Sequence, residues 1–130
     1  SQRLAGPSAV DRRTADEPTV VVAIVGDILL DRGVRASLER RSLDELLSDV
    51  APSLREADLA VGNLECPLTT RGLRSAKPFS FRGDPIHATS LASAGFDALS
   101  LANNHSLDYG RVALSDTIAS LESSGRGKRS

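Results

Sequence analysis

The sequence has almost no aromatic residues, no tryptophan, no methionine and a single cysteine. Aromatics make up 3% of its 130 residues, so its core has to be built from Val, Leu, Ile and Ala interdigitated at native density. One thiol, Cys66, can close neither an internal disulfide nor a zinc cluster, and the redox compartment is left open. An excess of one charge is missing too. Sixteen Lys and Arg stand against seventeen Asp and Glu, a net charge of -1, so no chain-wide field recommends nucleic acid or an anionic membrane as partner. The longest apolar run, residues 20–25, has the length of a strand and falls far short of the roughly 20 residues a membrane helix requires.

What remains, 40% hydrophobic and 25% charged residues, suits one ordinary globular domain with a layered α/β interior. Residues 1–18 are rich in Pro, Ser, Arg and Asp, contain no apolar signal-peptide core, and read as a flexible lead-in. Residues 126–130 read as a polar tail, which leaves 19–125 as the structured unit. Envelope, secreted and cytoplasmic locations all stay open.

The period of the apolar residues switches repeatedly between these limits. Residues 19–25 form a continuous β-branched run ending at Gly26-Asp27, the pattern of a strand buried on both faces of a sheet. Ser42 with Glu45 makes a capping box. Leu43, Leu46, Leu47, Val50 and Leu54 follow at helical spacing, with Pro52 as a break within it. Residues 58–62 give a second strand, 63–77 a long polar loop, and Phe79 and Phe81 a short extended piece. Asp84-Pro85 opens a helix that Gly95 closes, with Leu91 and Ala94 facing the sheet. Residues 97–102 are a third strand. Residues 112–121 are a helix offering Val112, Leu114, Ile118 and Leu121 for burial. The order β-α-β-α-β-α implies a parallel sheet with helices on its faces and ligands at the carboxyl ends of its strands.

Each strand runs straight into a polar cluster: Gly26-Asp27, then Gly62-Asn63-Leu64-Glu65, then Asn103-Asn104-His105. Singly these are ordinary turn residues. In a parallel sheet, however, the three clusters share one rim. Carboxylates, amides and an imidazole meeting there suit Mn, Fe, Zn or Mg.

Three blocks in register, Val25-Gly26-Asp27-Ile28-Leu29-Leu30, Ala57-Asp58-Leu59-Ala60-Val61-Gly62-Asn63-Leu64-Glu65 and Ala94-Gly95-Phe96-Asp97-Ala98-Leu99-Ser100-Leu101-Ala102-Asn103-Asn104-His105-Ser106-Leu107-Asp108-Tyr109-Gly110, resemble the CapA-type poly-γ-glutamate capsule biosynthesis family. That family lies within the calcineurin-like metallophosphoesterase superfamily. The resemblance implies the front portion of an αββα sandwich with a divalent metal centre, dinuclear in the full domain, and an envelope or secreted location. It implies Asp27, Asn63, Glu65 and Asn104 as metal ligands and His105 as general acid or transition-state donor. Leu29 stands where many superfamily members carry a further His ligand, and the histidines of the family's back part have no counterpart here, so an incomplete, weakly binding metal site is expected. Arg74, Lys77 and Arg82 are candidate contacts for an anionic substrate such as a phosphoryl group or poly-γ-glutamate. The functional expectation is a metal-assisted phosphoesterase-like site in capsule or poly-γ-glutamate biosynthesis, with little activity of its own. The alternative is a non-catalytic module that binds an acidic polymer or capsule synthase subunits. Self-association through an unpaired apolar sheet edge or face is expected as well.

Overall fold

The computed structural model of the chain describes residues 17–125. Apart from Glu17 and Pro18, the expected lead-in and tail lie outside the described residues. The elements follow in the order β1 (Val22–Ile28), α1 (Gly33–Leu38), α2 (Leu43–Leu46), α3 (Ala51–Glu56), β2 (Leu59–Leu64), α4 (His87–Ala94), β3 (Ala98–Ser100) and α5 (Gly110–Ser124). All strand pairing is parallel, in the order β1-β2-β3, as the strand and helix alternation implies.

Local chemistry accounts for most boundaries. The Ser42 hydroxyl accepts the Glu45 N–H at 3.1 Å, the cap expected at that position. Pro52 then sits in the first turn of α3, where its missing N–H costs nothing, so the helical run is two helices, broken near Pro52 as expected. Helix α1 was not foreseen because none of its residues is buried, and a helix without a buried face writes no apolar stripe. Gly95, at φ 120°, ends α4 in a conformation that side-chain-bearing residues avoid.

Burial along β2 alternates strictly. Ala60, Gly62 and Leu64 face the core, while Leu59, Val61 and Asn63 look the other way. The core side joins Ala60 and Leu64 to Leu43, Leu54, Leu91 and Phe96 in a single cluster with the helices. Opposite it, Val22 pairs with Leu59, Ile24 with Val61, and Val61 with Ala98, forming one uncovered apolar face. Ile24 on that face is 76% exposed. Thus the β-branched run of β1 does not have both faces buried. The helices pack on one side of the sheet, and the described residues form one helical layer on one sheet layer.

Three further expectations are corrected. Residues 66–69 are buried, although their stretch reads as a polar loop. They cross the core as a strap, with Leu68 bridged to Gly83 and its N–H donated to the buried Thr117 hydroxyl at 2.9 Å. The extended piece around Phe79 and Phe81 reduces to that bridge. On α5 the buried positions are Ala113 and Thr117, because the strap docks against them, while Val112 and Ile118 stay exposed. Cys66 lies inside the strap and is a packing residue; burial pushes its thiol up to about 11, far from the thiolate a nucleophile needs. No helix among the described residues is long and apolar enough to cross a membrane.

Candidate functional site

Strand β1 carries the irregularity that builds the site. Ile24 pairs with Val61 but Asp27 pairs with Asn63, so three residue steps on β1 oppose two on β2. The slip turns Asp27 onto the same side as Asn63. This is how an extra residue in a strand re-aims a side chain at a sheet's end. Asn63 is in turn level with Ser100 on β3, which puts all three strand ends in one row.

From that row a chain of hydrogen bonds runs outward. Asn63 donates its amide to Asp27 Oδ1 at 2.9 Å, and its own carbonyl accepts the Asn103 amide at 3.0 Å. Asn103 also reaches the backbone carbonyl of Leu64 at 2.8 Å, while its side-chain oxygen accepts the His105 N–H at 3.0 Å. The amides therefore tie the loop after β3 to the ends of β1 and β2. Asn104 Nδ2 lies 3.4 Å from His105 Nε2.

The other ring nitrogen of His105 is held from behind. Its Nδ1 lies 2.7 Å from Asp108 Oδ2, and Asp108 has no exposed surface. The same carboxylate oxygen accepts the Phe81 N–H at 2.7 Å, while Oδ1 forms an ion pair with the Lys77 ammonium and has no other partner among the described residues. Lys77 also donates to the Asn104 carbonyl oxygen at 2.7 Å. Burial pushes the Asp108 carboxyl up, but Lys77, the Phe81 N–H and His105 together outweigh it and hold the carboxyl below the ordinary range. A carboxylate at Nδ1 leaves Nε2 as the nitrogen presented to the rim. The Phe81 ring, 4.3 Å from the imidazole centroid, limits the ring's remaining freedom.

The sequence-derived candidates divide as follows. Asp27, Asn63, Asn104 and His105 belong to one hydrogen-bonded assembly through Asn103, and Lys77 is bonded into its underside. Glu65 sits one residue beyond β2, its N–H donated to the Ile28 carbonyl at 2.9 Å, and its carboxylate has no hydrogen-bond or ion-pair partner among the described residues. Arg74 is exposed. Arg82 lies over the Tyr109 ring at 4.6 Å and lines a groove of about 480 Å³ with Arg35, Asp84 and His87. The imidazole of His87 is held low by burial, in keeping with a structural position. Two residues that matter to the assembly, Asn103 and Asp108, are not among the site residues expected from the sequence. The three-residue spacing from His105 to Asp108 was the available signal for the second.

Oxygen donors of this kind suit a hard or borderline cation. The set is short, however: among the described residues no three His, Cys, Asp or Glu side chains gather into a metal-binding group. Asp27, the charged oxygen donor at this end of the assembly, has the chemistry of one ligand of such a centre.

The bacterial capsule synthesis protein PGA_cap family matches residues 21–126. The chain is 32% identical over 124 residues to a capsule biosynthesis protein CapA of Bacillus anthracis, covering 90% of this chain and 29% of that protein. It is 30% identical over 108 residues to a PGA biosynthesis protein CapA of Bacillus subtilis (strain 168), covering 82% and 28%. A probable polyglutamine synthesis accessory protein of Mycobacterium tuberculosis is 36% identical over 69 residues, or 52% of this chain and 18% of that protein. The chain thus spans less than a third of the length of these relatives. With the family model matched over residues 21–126, most of its length, the chain belongs to the bacterial capsule synthesis protein PGA_cap family.

Proposed function

We propose that the chain supplies the strand-end half of a metal-assisted site that acts on an oxyanion substrate during capsule or poly-γ-glutamate biosynthesis. The observation that carries this reading is the continuous path from Asp27 through Asn63 and Asn103 to His105 and the buried Asp108. A solvated turn gains little from burying a carboxylate behind an imidazole, whereas a proton donor at a reacting centre has to be fixed in tautomer and direction.

Asp27, with the carbonyls of Asn63 and Asn104 and the carboxylate of Glu65, would hold a divalent cation such as Mn, Fe, Zn or Mg. Bound there, it would polarise a phosphoryl oxygen and lower the pKa of a water. His105 Nε2 delivers a proton to a leaving oxygen or a hydrogen bond to developing negative charge. Asp108 holds Nδ1 so that Nε2 keeps that direction. Lys77 neutralises Asp108 and fixes the Asn104 backbone.

A second reading keeps the rim and drops the chemistry: a module that binds an acidic polymer or a synthase subunit. The absence of a three-ligand group among the described residues favours it. Calorimetric titration with MnCl₂, paired with hydrolysis of a chromogenic phosphodiester, separates the two. The first reading expects weak binding at one site, lost in Asp27→Ala, and turnover that appears only with metal. Binding of poly-γ-glutamate that is indifferent to metal and to Asp27→Ala would contradict it in favour of the second.

A further inference from the structure

Arg32 is the one non-glycine residue among those described with a positive φ, at φ 56° and ψ -126°. This is glycine's territory, and a side chain there stores strain of the kind that persists where the surroundings over-determine it. Here they do. Asp31 Oδ1 accepts the Arg32 N–H at 2.7 Å and pairs with Arg35 Nε at 2.9 Å, while Asp31 Oδ2 accepts the Arg82 N–H at 2.8 Å. The turn is thereby fastened to the segment that carries Phe81.

The strained backbone sends the Arg32 side chain to the aromatic residues beside His105. Its guanidinium carbon stands 5.3 Å from the Phe79 ring centroid and 6.0 Å from that of Phe81, a ring that also lies 4.3 Å from the His105 ring. Ring stacking occupies the faces of a guanidinium and leaves its N–H fork in the plane, available for bidentate contact with an oxyanion. Of the other nearby cations, Lys77 pairs with Asp108, Arg71 with Asp116 and Arg35 with Asp31, while Arg82 lies over the Tyr109 ring. Arg32 is exposed and pairs with no carboxylate among the described residues.

We infer that Arg32 is the residue that recognises the substrate's oxyanion at this rim, a carboxylate or phosphoryl group held bidentately one aromatic ring away from His105. The inference deepens the proposed function, since it rests on His105 marking the reacting centre. Anion recognition by Arg32 itself needs no metal.

The test measures binding of inorganic phosphate and of tetra-γ-glutamate to the intact protein in chelator, by NMR titration, for four proteins: the native one, Arg32→Gly, Arg32→Lys and Arg40→Gln, the last at an exposed arginine outside the site. Glycine accepts the backbone conformation without strain, so Arg32→Gly is expected to melt no earlier than the native protein. Its affinity for the preferred anion should fall by about tenfold to a hundredfold, the loss expected for a charged bidentate hydrogen bond. Arg32→Lys should recover only part of that affinity, and Arg40→Gln should bind as the native protein does. Tighter native binding of phosphate identifies the phosphoryl group as the ligand, and tighter binding of the glutamate tetramer identifies the carboxylate. Unchanged affinity in Arg32→Gly, or an equal loss in Arg40→Gln, overturns the inference. A manganese titration of the same Arg32→Gly protein reports on the Asp27 site separately, so failure of one reading is not mistaken for failure of the other.

Discussion

Replacing Asp108 by Asn changes one oxygen and one charge at the most buried polar point of the site. The carboxylate accepts from the Phe81 N–H and His105 Nδ1 on one oxygen and faces the Lys77 ammonium with the other. An amide can satisfy one of these sides. Turned one way its NH₂ meets the Lys77 ammonium, and turned the other it meets two N–H donors. Breaking one partner out of a buried charge pair costs about 3 to 5 kcal/mol, and leaving a buried donor unsatisfied about 1 to 3 kcal/mol. Lys77 is partly exposed and can rehydrate, so the lower figure applies: about 3 kcal/mol, or a fall in Tm of about 10 °C for a chain of this size. Thermal unfolding followed by circular dichroism reads it directly. The pH dependence has a definite sign. Because the folded carboxyl is held below its ordinary value, the stabilisation is complete above about pH 4, where an unfolded Asp ionises, and is lost as pH falls further. In Asp108→Asn that acid dependence should flatten. Adding Lys77→Met should recover more than about 1 kcal/mol, because it removes the stranded cation. A single-variant loss below about 0.5 kcal/mol, or strict additivity in the double variant, would refute the reasoning.

Gly62→Ala should cost about 1 to 3 kcal/mol by chemical denaturation, since a Cβ there meets Val25 Cγ2 at 2.7 Å and Ile28 Cδ1 at 2.8 Å; stability equal to the native protein would show that both side chains yield freely. The Asp116 carboxyl, drawn down to about 2 by hydrogen bonds from Arg71 and Thr69, stabilises the strap's outer end above about pH 4 and loses that contribution as pH falls through 2; hydrogen exchange at residues 69–71 should quicken over that window and be flat in Asp116→Asn. Ile24→Asp should reduce any concentration-dependent self-association seen by sedimentation, because Ile24 is the most exposed residue of the uncovered face; an unchanged association profile would remove that face from consideration.

The parts of this architecture that the sequence disclosed are those written by periodicity and caps. Strand and helix alternation, the Ser42 cap, the stop at Gly95 and the burial of Leu91 and Ala94 each depend on residues close in sequence. What escaped depends on partners far away. A β-branched run reads the same whether one face or both is covered, so the exposure of Ile24 could not be seen in residues 19–25. The strap at 66–69 is buried because Thr117, some fifty residues on, accepts a strap N–H, and no local signal announces that. At the rim, strand-end position predicted that Asp27, Asn63, Asn104 and His105 would lie together, and hydrogen bonds through Asn103 link them. The one-residue slip in β1, which aims Asp27 at Asn63, and the charge buried at Asp108 emerge only once the chain is folded.

The most direct test of the rim as one functional site is paramagnetic broadening by Mn²⁺, which reports position without requiring tight affinity or turnover. With Mn²⁺ added well below stoichiometric amounts, the side-chain amide signals of Asn63 and Asn104 and the imidazole signals of His105 should broaden first. That selectivity should vanish in Asp27→Ala while the spectrum otherwise stays folded. Broadening spread over the exposed carboxylates, or unchanged at Asn63 and His105 after Asp27→Ala, would contradict the account.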